Sequence, residues 1–114
     1  MPTILSTSLA SGNIRSFVKR WQSLAAGDDG DAQGGSQYSD KSVQVHGTFG
    51  GAIVRIQGSN DGTVWATLSD PQGNPLDFAT AKIEMIAEAT LFVRPILIGG
   101  DGTTNLNVHI LMKE

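Results

Sequence analysis

The residues best suited to chemistry are few and widely spaced. The only histidines are His46 and His109, each on the polar side of an alternating segment. A nucleophilic triad needs a histidine oriented by a carboxylate and within reach of a hydroxyl. Neither imidazole sits in a local motif that supplies those partners. Glycoside hydrolysis needs two carboxylates facing each other across a cleft. The aspartates here fall in turn-like stretches, and turn chemistry accounts for them. Asp28, Asp29 and Asp31 are close enough to raise calcium, a cation that takes six to eight oxygen ligands. No glutamate follows at the closing position of an EF-hand loop, so a solvated acidic loop is the expectation. No glycine-rich turn has the spacing of a phosphate-binding or dinucleotide-binding loop. With no cysteine in the chain, disulfides and thiolate metal sites are excluded. The reading is a non-enzyme with no cofactor and no metal.

Charge narrows the partners. The formal net charge is −3, and Arg15, Lys19 and Arg20 form the one local basic cluster. Nucleic-acid binding draws on a concentrated positive field that displaces counterions, so no nucleic-acid partner is expected. No stretch approaches the roughly 18 apolar residues of a membrane span. The first dozen residues lack the charged and apolar regions of a secretory signal. No membrane partner is expected, and synthesis is expected in the cytoplasm of the producing cell.

Any binding surface must be positioned by the elements that remain. With 114 residues, the chain has the size of one domain. Its 14 glycines, and 8 Asp against 3 Glu, favour turns over helices. Residues 1–12, MPTILSTSLASG, hold only Ile4, Leu5 and Leu9 as large apolar residues. So sparse a segment cannot recover its ordering entropy by itself. It reads as a flexible arm whose three apolar residues are candidates for docking on a partner, ahead of one domain over residues 13–114.

Residues 13–24 read as the first strand, with Phe17, Lys19 and Trp21 on one face. Residues 27–41 form a long Gly/Asp/Ser loop, of a length uncommon in so small a domain. Val43 and Val45 alternate with Ser42, Gln44 and His46, the period-two mark of a half-buried strand. Gly50-Gly51 and the run AIVRIQG follow, and the two runs together predict a β-hairpin. Ser59-Asn60-Asp61-Gly62 is a turn that leads into TVWATL. Both tryptophans, Trp21 and Trp65, are expected in the core rather than as sugar-stacking platforms, because large aromatics dominate core burial.

Residues 76–89 mix helical composition with a position between strands, and are read as a strand with a loop. Pro95 cannot donate to a ladder, so its strand lies at an edge or is broken there. The last strand alternates Leu106, Val108, Ile110 and Met112 against polar neighbours. Short strands joined by Gly/Asp/Asn turns predict an all-β fold. The expected form is an antiparallel β-sandwich of seven or eight strands, jelly-roll-like in its connections.

Two resemblances join this reading. GSNDGTVWATL resembles the hairpin of discoidin-like jelly-roll modules and is similar to the sialidase Asp-box, with one residue fewer between Asp61 and Trp65. The resemblance implies a structural hairpin in which Ser59, Asp61 and Gly62 close the turn and Trp65 packs beneath it. It also raises carbohydrate as a ligand. More broadly, Trp21, Leu24, Gly27 and Asp28, then DKSVQVHGTFG, GSNDGTVWATLSDPQG, VRP and GGDGTTNLNV, resemble small structural proteins of tailed bacteriophages, including capsid decoration (cement) proteins. That resemblance implies a virion protein on the capsid surface, with the major capsid protein and copies of itself as partners, and a homotrimer to match threefold sites of the shell. A tail, fibre or baseplate component and a carbohydrate-binding module are the alternatives.

Overall fold

The computed structural model of the protein describes residues 3–9, 16–34 and 40–113. In chain order the strands are β1 (Thr3–Ile4), β2 (Thr7–Leu9), β3 (Ser16–Leu24), β4 (Asp29–Gly30), β5 (Gln33–Gly34) and β6 (Asp40–Thr48). They continue with β7 (Ile53–Ser59), β8 (Ala66–Thr67), β9 (Asp77–Phe78), β10 (Lys82–Ile86), β11 (Phe92–Ile98) and β12 (Asn105–Lys113). The expected all-β sandwich is what forms, with no helix among the described residues. The twelve strands among the described residues exceed the expected seven or eight because five of them are two-residue pairings too short to register as alternation.

One sheet has the order β10-β6-β12-β3-β2. The other runs β1-β4-β11-β7-β8, with β5 also on β11 and β9 also on β7. The inward faces supply the core. Val43 and Val45 come from β6, Val54 and Ile56 from β7, and Val108 and Ile110 from β12; all are fully buried.

β6 and β7 do not form the predicted hairpin. They lie in opposite sheets: β6 pairs with β12 and β10, and β7 with β11, β8 and β9. The turn itself has the local form a hairpin would use. Ala52 N–H donates to Phe49 O at 2.9 Å, and Gly50 and Gly51 both take positive φ, 57° and 84°. Alternation reports that each strand has one buried face; it does not report which strand lies alongside. The pairing is decided by longer ladders, β6 with β12 from Asp40↔Lys113 to Thr48↔Asn105 and β7 with β11 from Ile53↔Ile98 to Ser59↔Phe92.

In β3 a bulge resolves a conflict of parity. Trp21 and Leu24 are three residues apart, so a regular strand would send them to opposite faces. The register against β12 shifts between Val108↔Trp21 and Leu106↔Leu24. Ser23 takes φ of 58°, and its N–H donates to Asn107 Oδ1 at 3.1 Å. With the extra residue absorbed there, Trp21 and Leu24 are both fully buried.

Pro95 meets neither of its two expected outcomes, because β11 is central and runs unbroken from Phe92 to Ile98. Ile56 N–H donates to Leu76 O, and Ile56 O accepts from Leu68 N–H. Both groups therefore point away from β11, and Pro95, paired with Ile56, needs no N–H on that side. On its other side the ladder is interrupted at the proline: β5 pairs with Phe92 and Val93, and β4 with Ile96. The one non-donating residue of the strand thus sits at the gap between β5 and β4. Gly30 lies against the ring, and a Cβ there would stand 2.6 Å from Pro95 Cδ.

The expected long loop over 27–41 therefore carries two short pairings, with residues 35–39 outside the description. Residues 76–89 form β9 and β10, as strand and loop. Of the segment expected as a flexible arm, residues 1–12, the described residues 3–9 carry β1 and β2. β1 runs parallel to β4, Asp31 N–H donates to Ile4 O, and β2 pairs with β3.

Candidate functional site

The outer face of the β10-β6-β12-β3 sheet is unusually apolar for a surface. Strand register sets two rows across it. In the first, Met85, Ser42, Leu111 and Val18 are successive cross-strand neighbours. In the second, Ile83, Gln44, His109 and Arg20 are. Ile83 is 62% exposed, Met85 51% and Leu111 37%. Between the rows lies an open hollow of about 270 Å³ walled by Val18, Ser42, Gln44, Ile83, His109 and Leu111. A smaller one beside it is bordered by Met85, Leu111, Asp40 and Lys113. Isolated apolar residues on a surface need no explanation, but a contiguous patch rimmed by polar residues marks an interaction surface.

One polar wall of the hollow, His109, stacks on a second histidine outside it. The rings of His46 and His109 stack with centroids 5.3 Å apart and planes inclined by 18°. His109 is half-buried, and its Nδ1 is shielded from solvent without a hydrogen-bond partner among the described residues. Burial holds its pKa below the ordinary histidine value, and the neighbouring His46 and Arg20 add to that. The imidazole is thus a neutral wall of the hollow at neutral pH. Sequence reasoning placed both histidines on outward faces; their adjacency needed the β6–β12 register, which pairs His46 with Asn107, two residues from His109. Ile83 and Met85 were missed as surface residues. The available signal was that β10 has apolar side chains on both faces, Ile86 inward and these two outward.

Two of the acidic residues raised for calcium, Asp28 and Asp31, serve the backbone and the core. Asp28 Oδ2 accepts from Ala25 N–H at 2.8 Å. Asp31 Oδ1 accepts from Trp21 Nε1–H at 2.8 Å and from Ser6 N–H at 3.0 Å, and its Oδ2 accepts from Gln33 Nε2–H. Among the described residues no three His, Asp or Glu side chains converge as a metal-binding group.

The candidate hairpin residues lie on the other sheet. Ser59 Oγ accepts from the N–H groups of Asp61 and Gly62, and donates to Asp61 Oδ1. Asp61 Oδ1 also accepts from Thr63 and Val64 N–H, at 2.8 and 2.9 Å. Those backbone donors, Val64 first, then Thr63 and the Ser59 hydroxyl, hold the Asp61 carboxyl below its usual range. Gly62 takes φ of 78°. Trp65 is not in the core as expected. It is half-buried on the outer face, with the Arg94 guanidinium 4.1 Å from its ring centroid. Gln57 Oε1 in turn holds Arg94, at 2.9 and 3.1 Å. Leu68, three residues on, fills the inward position instead.

The candidate docking residues separate. Ile4 packs against the core, while Leu5 is 74% exposed. Leu9 pairs with Val18 in the β2–β3 ladder.

No protein-family model matches the sequence, and no curated protein matches it. Six chains of solved structure match the fold. One is the crystal structure of the SPBc2 prophage-derived protein YomS, with a TM-score of 0.70 and 9% sequence identity, over 87% of this chain and 95% of that one. At that identity the likeness is one of fold, and it covers both sheets of the sandwich.

Proposed function

We propose that this chain is a structural protein of a bacteriophage particle, a capsid decoration protein that lays the outer face of the β10-β6-β12-β3 sheet on the shell and reinforces it. The observation that carries the reading is the open apolar hollow framed by Val18, Ile83 and Leu111 on a rigid sheet. A cement protein gains by burying such a face, because each exposed apolar side chain withdrawn from water contributes about 1.5–3 kcal/mol when fully covered. The prophage origin of a protein with the same fold supports the phage setting. The sequence resemblance to virion surface proteins supports the capsid over other parts of the particle. The major capsid protein is then the partner, and the protein acts by binding, with no catalytic step.

The test is addition of purified protein to shells assembled without it. Co-sedimentation with the shell and a raised temperature of shell disruption are expected. Recovery on tails alone would move the protein to the tail, fibre or baseplate.

A second reading draws on Trp65. Its place on the surface, over Arg94, provides an aromatic plane and a charged donor of the kind that stacks on and hydrogen-bonds a sugar. Quenching or enhancement of tryptophan fluorescence by an oligosaccharide, abolished in Trp65→Phe, would support carbohydrate binding.

A further inference from the structure

β10 ends its sheet. On one side it pairs with β6, and no strand among those described lies on the other. An edge of this kind offers unpaired N–H and C=O groups as a template for another strand, and proteins commonly guard such edges with charge. Here the charges are one of each sign, two residues apart on one face. Lys82 Nζ lies 3.4 Å from Glu84 Oε1, with side chains 59% and 26% exposed. The other face of the strand carries the exposed Ile83 and Met85.

We infer that two copies of this chain join edge to edge through β10, antiparallel about a twofold axis at Ile83, so that Lys82 of each copy faces Glu84 of the other. A twofold axis normal to the sheet keeps the apolar face of both copies on the same side. Opposed residues must then share a face, and a residue must sit on the axis. Within β10 that leaves axes at Ile83, Glu84 or Met85. An axis at Glu84 sets the two Glu84 carboxylates directly opposite each other, which is unfavourable. An axis at Met85 needs Ala87 and Glu88 in the ladder. Ala87 N–H is already engaged, donating to Ser69 O, and Ser69 N–H and Oγ–H also hold the Glu88 side chain beside it.

The Ile83 axis sets Lys82 against Glu84 twice, Ile83 against Ile83, and Met85 against Ala81. The two five-stranded sheets become one, and the two apolar hollows lie side by side on the same surface. The contact stands on the edge geometry alone; its use in a particle rests on the function proposed above. A twofold contact closes at a pair, so this edge does not account for a trimer.

Because the chain has no cysteine, Ile83→Cys is a clean probe. Mild oxidation should convert it largely to a disulfide-linked dimer. Val64→Cys, at a 72% exposed position on the other sheet's loop, should remain mostly unlinked. Sedimentation equilibrium of the parent should give a dimer. Lys82→Glu and Glu84→Lys should each weaken it about tenfold by opposing like charges at two places, and the double swap should restore it. The intrachain pair keeps its sign in the double swap, and equal melting temperatures would confirm that all variants fold. A monomeric or trimeric parent, equal linking at Val64→Cys, or a double swap as weak as the single variants would overturn the inference. A dimer that fails to bind shells would leave this contact standing and contradict the capsid function instead.

Discussion

Trp21 Nε1–H donates to Asp31 Oδ1 at 2.8 Å, and through that contact the largest core side chain is tied to the link between β4 and β5 of the opposite sheet. The same oxygen accepts from Ser6 N–H, so it also holds the N-terminal strands against the body. Asp31→Ala leaves a fully buried indole N–H without its partner. An unsatisfied buried donor costs about 1–3 kcal/mol. Urea unfolding should show a lowered midpoint at unchanged slope, and a midpoint equal to the parent's would contradict this role.

Gly30 and Gly34 should respond differently to the same substitution. A Cβ at Gly30 would meet Pro95 Cδ at 2.6 Å and Trp21 Cδ1 at 2.9 Å, whereas at Gly34 the nearest atom is 3.8 Å away. Gly30→Ala is expected to destabilise by about 1–3 kcal/mol, as overpacking against a rigid ring does. Gly34→Ala should melt close to the parent. Equal melting temperatures for the two variants would show that the β4–β11 approach is looser than described.

The two tryptophans should differ in the same way. Trp21→Ala removes a fully buried ring and should cost about 3–5 kcal/mol. Trp65→Ala removes a half-buried ring stacked on Arg94 and should cost about 1 kcal/mol, the order of a surface cation–π contact. Thermal melts of the two variants side by side check this; comparable losses would place Trp65 in the core after all.

His109 makes stability depend on pH. Its pKa is depressed in the fold by burial, so the unfolded chain binds the proton more readily. Stability from this group is therefore fully present above the unfolded histidine value of about 6.5 and falls as pH drops below it. Melting temperatures from pH 7.5 to 5 should decline, and His109→Gln should flatten the part of that decline between about pH 6.5 and the folded pKa. An unchanged pH profile in the variant would show that the imidazole protonates freely in the folded state.

Much of the sandwich was legible because alternation is a local signal. Val43, Val45, Val54, Ile56 and the inward residues of β12 follow from period two alone, and the strand assignment of residues 82–86 survived a helical composition. What alternation cannot carry is pairing. The Phe49–Ala52 turn has hairpin dihedrals, yet its two strands separate into different sheets, because the partner of each strand is set by a ladder with a distant one, β11 or β12. Trp21 and Leu24 have incompatible parity until the Ser23 bulge is known. The site was less legible than the fold for the same reason. Val18, Gln44, Ile83, His109 and Leu111 come from four strands and meet only through register. Trp65 follows a polar turn that the motif explains, but its orientation depends on Arg94 from β11.

The central claim is that the outer face of the β10-β6-β12-β3 sheet binds a phage shell. The most direct measurement is co-sedimentation of the parent and Leu111→Asp with shells lacking the protein, with melting temperatures taken in parallel. Leu111 lies in the middle of the face and away from the β10 edge, so the substitution reports on the face itself. The account predicts that the parent sediments with the shell and that the variant, still folded, stays in the supernatant. A folded Leu111→Asp variant that binds as the parent does, or a parent that ignores the shell, would contradict it.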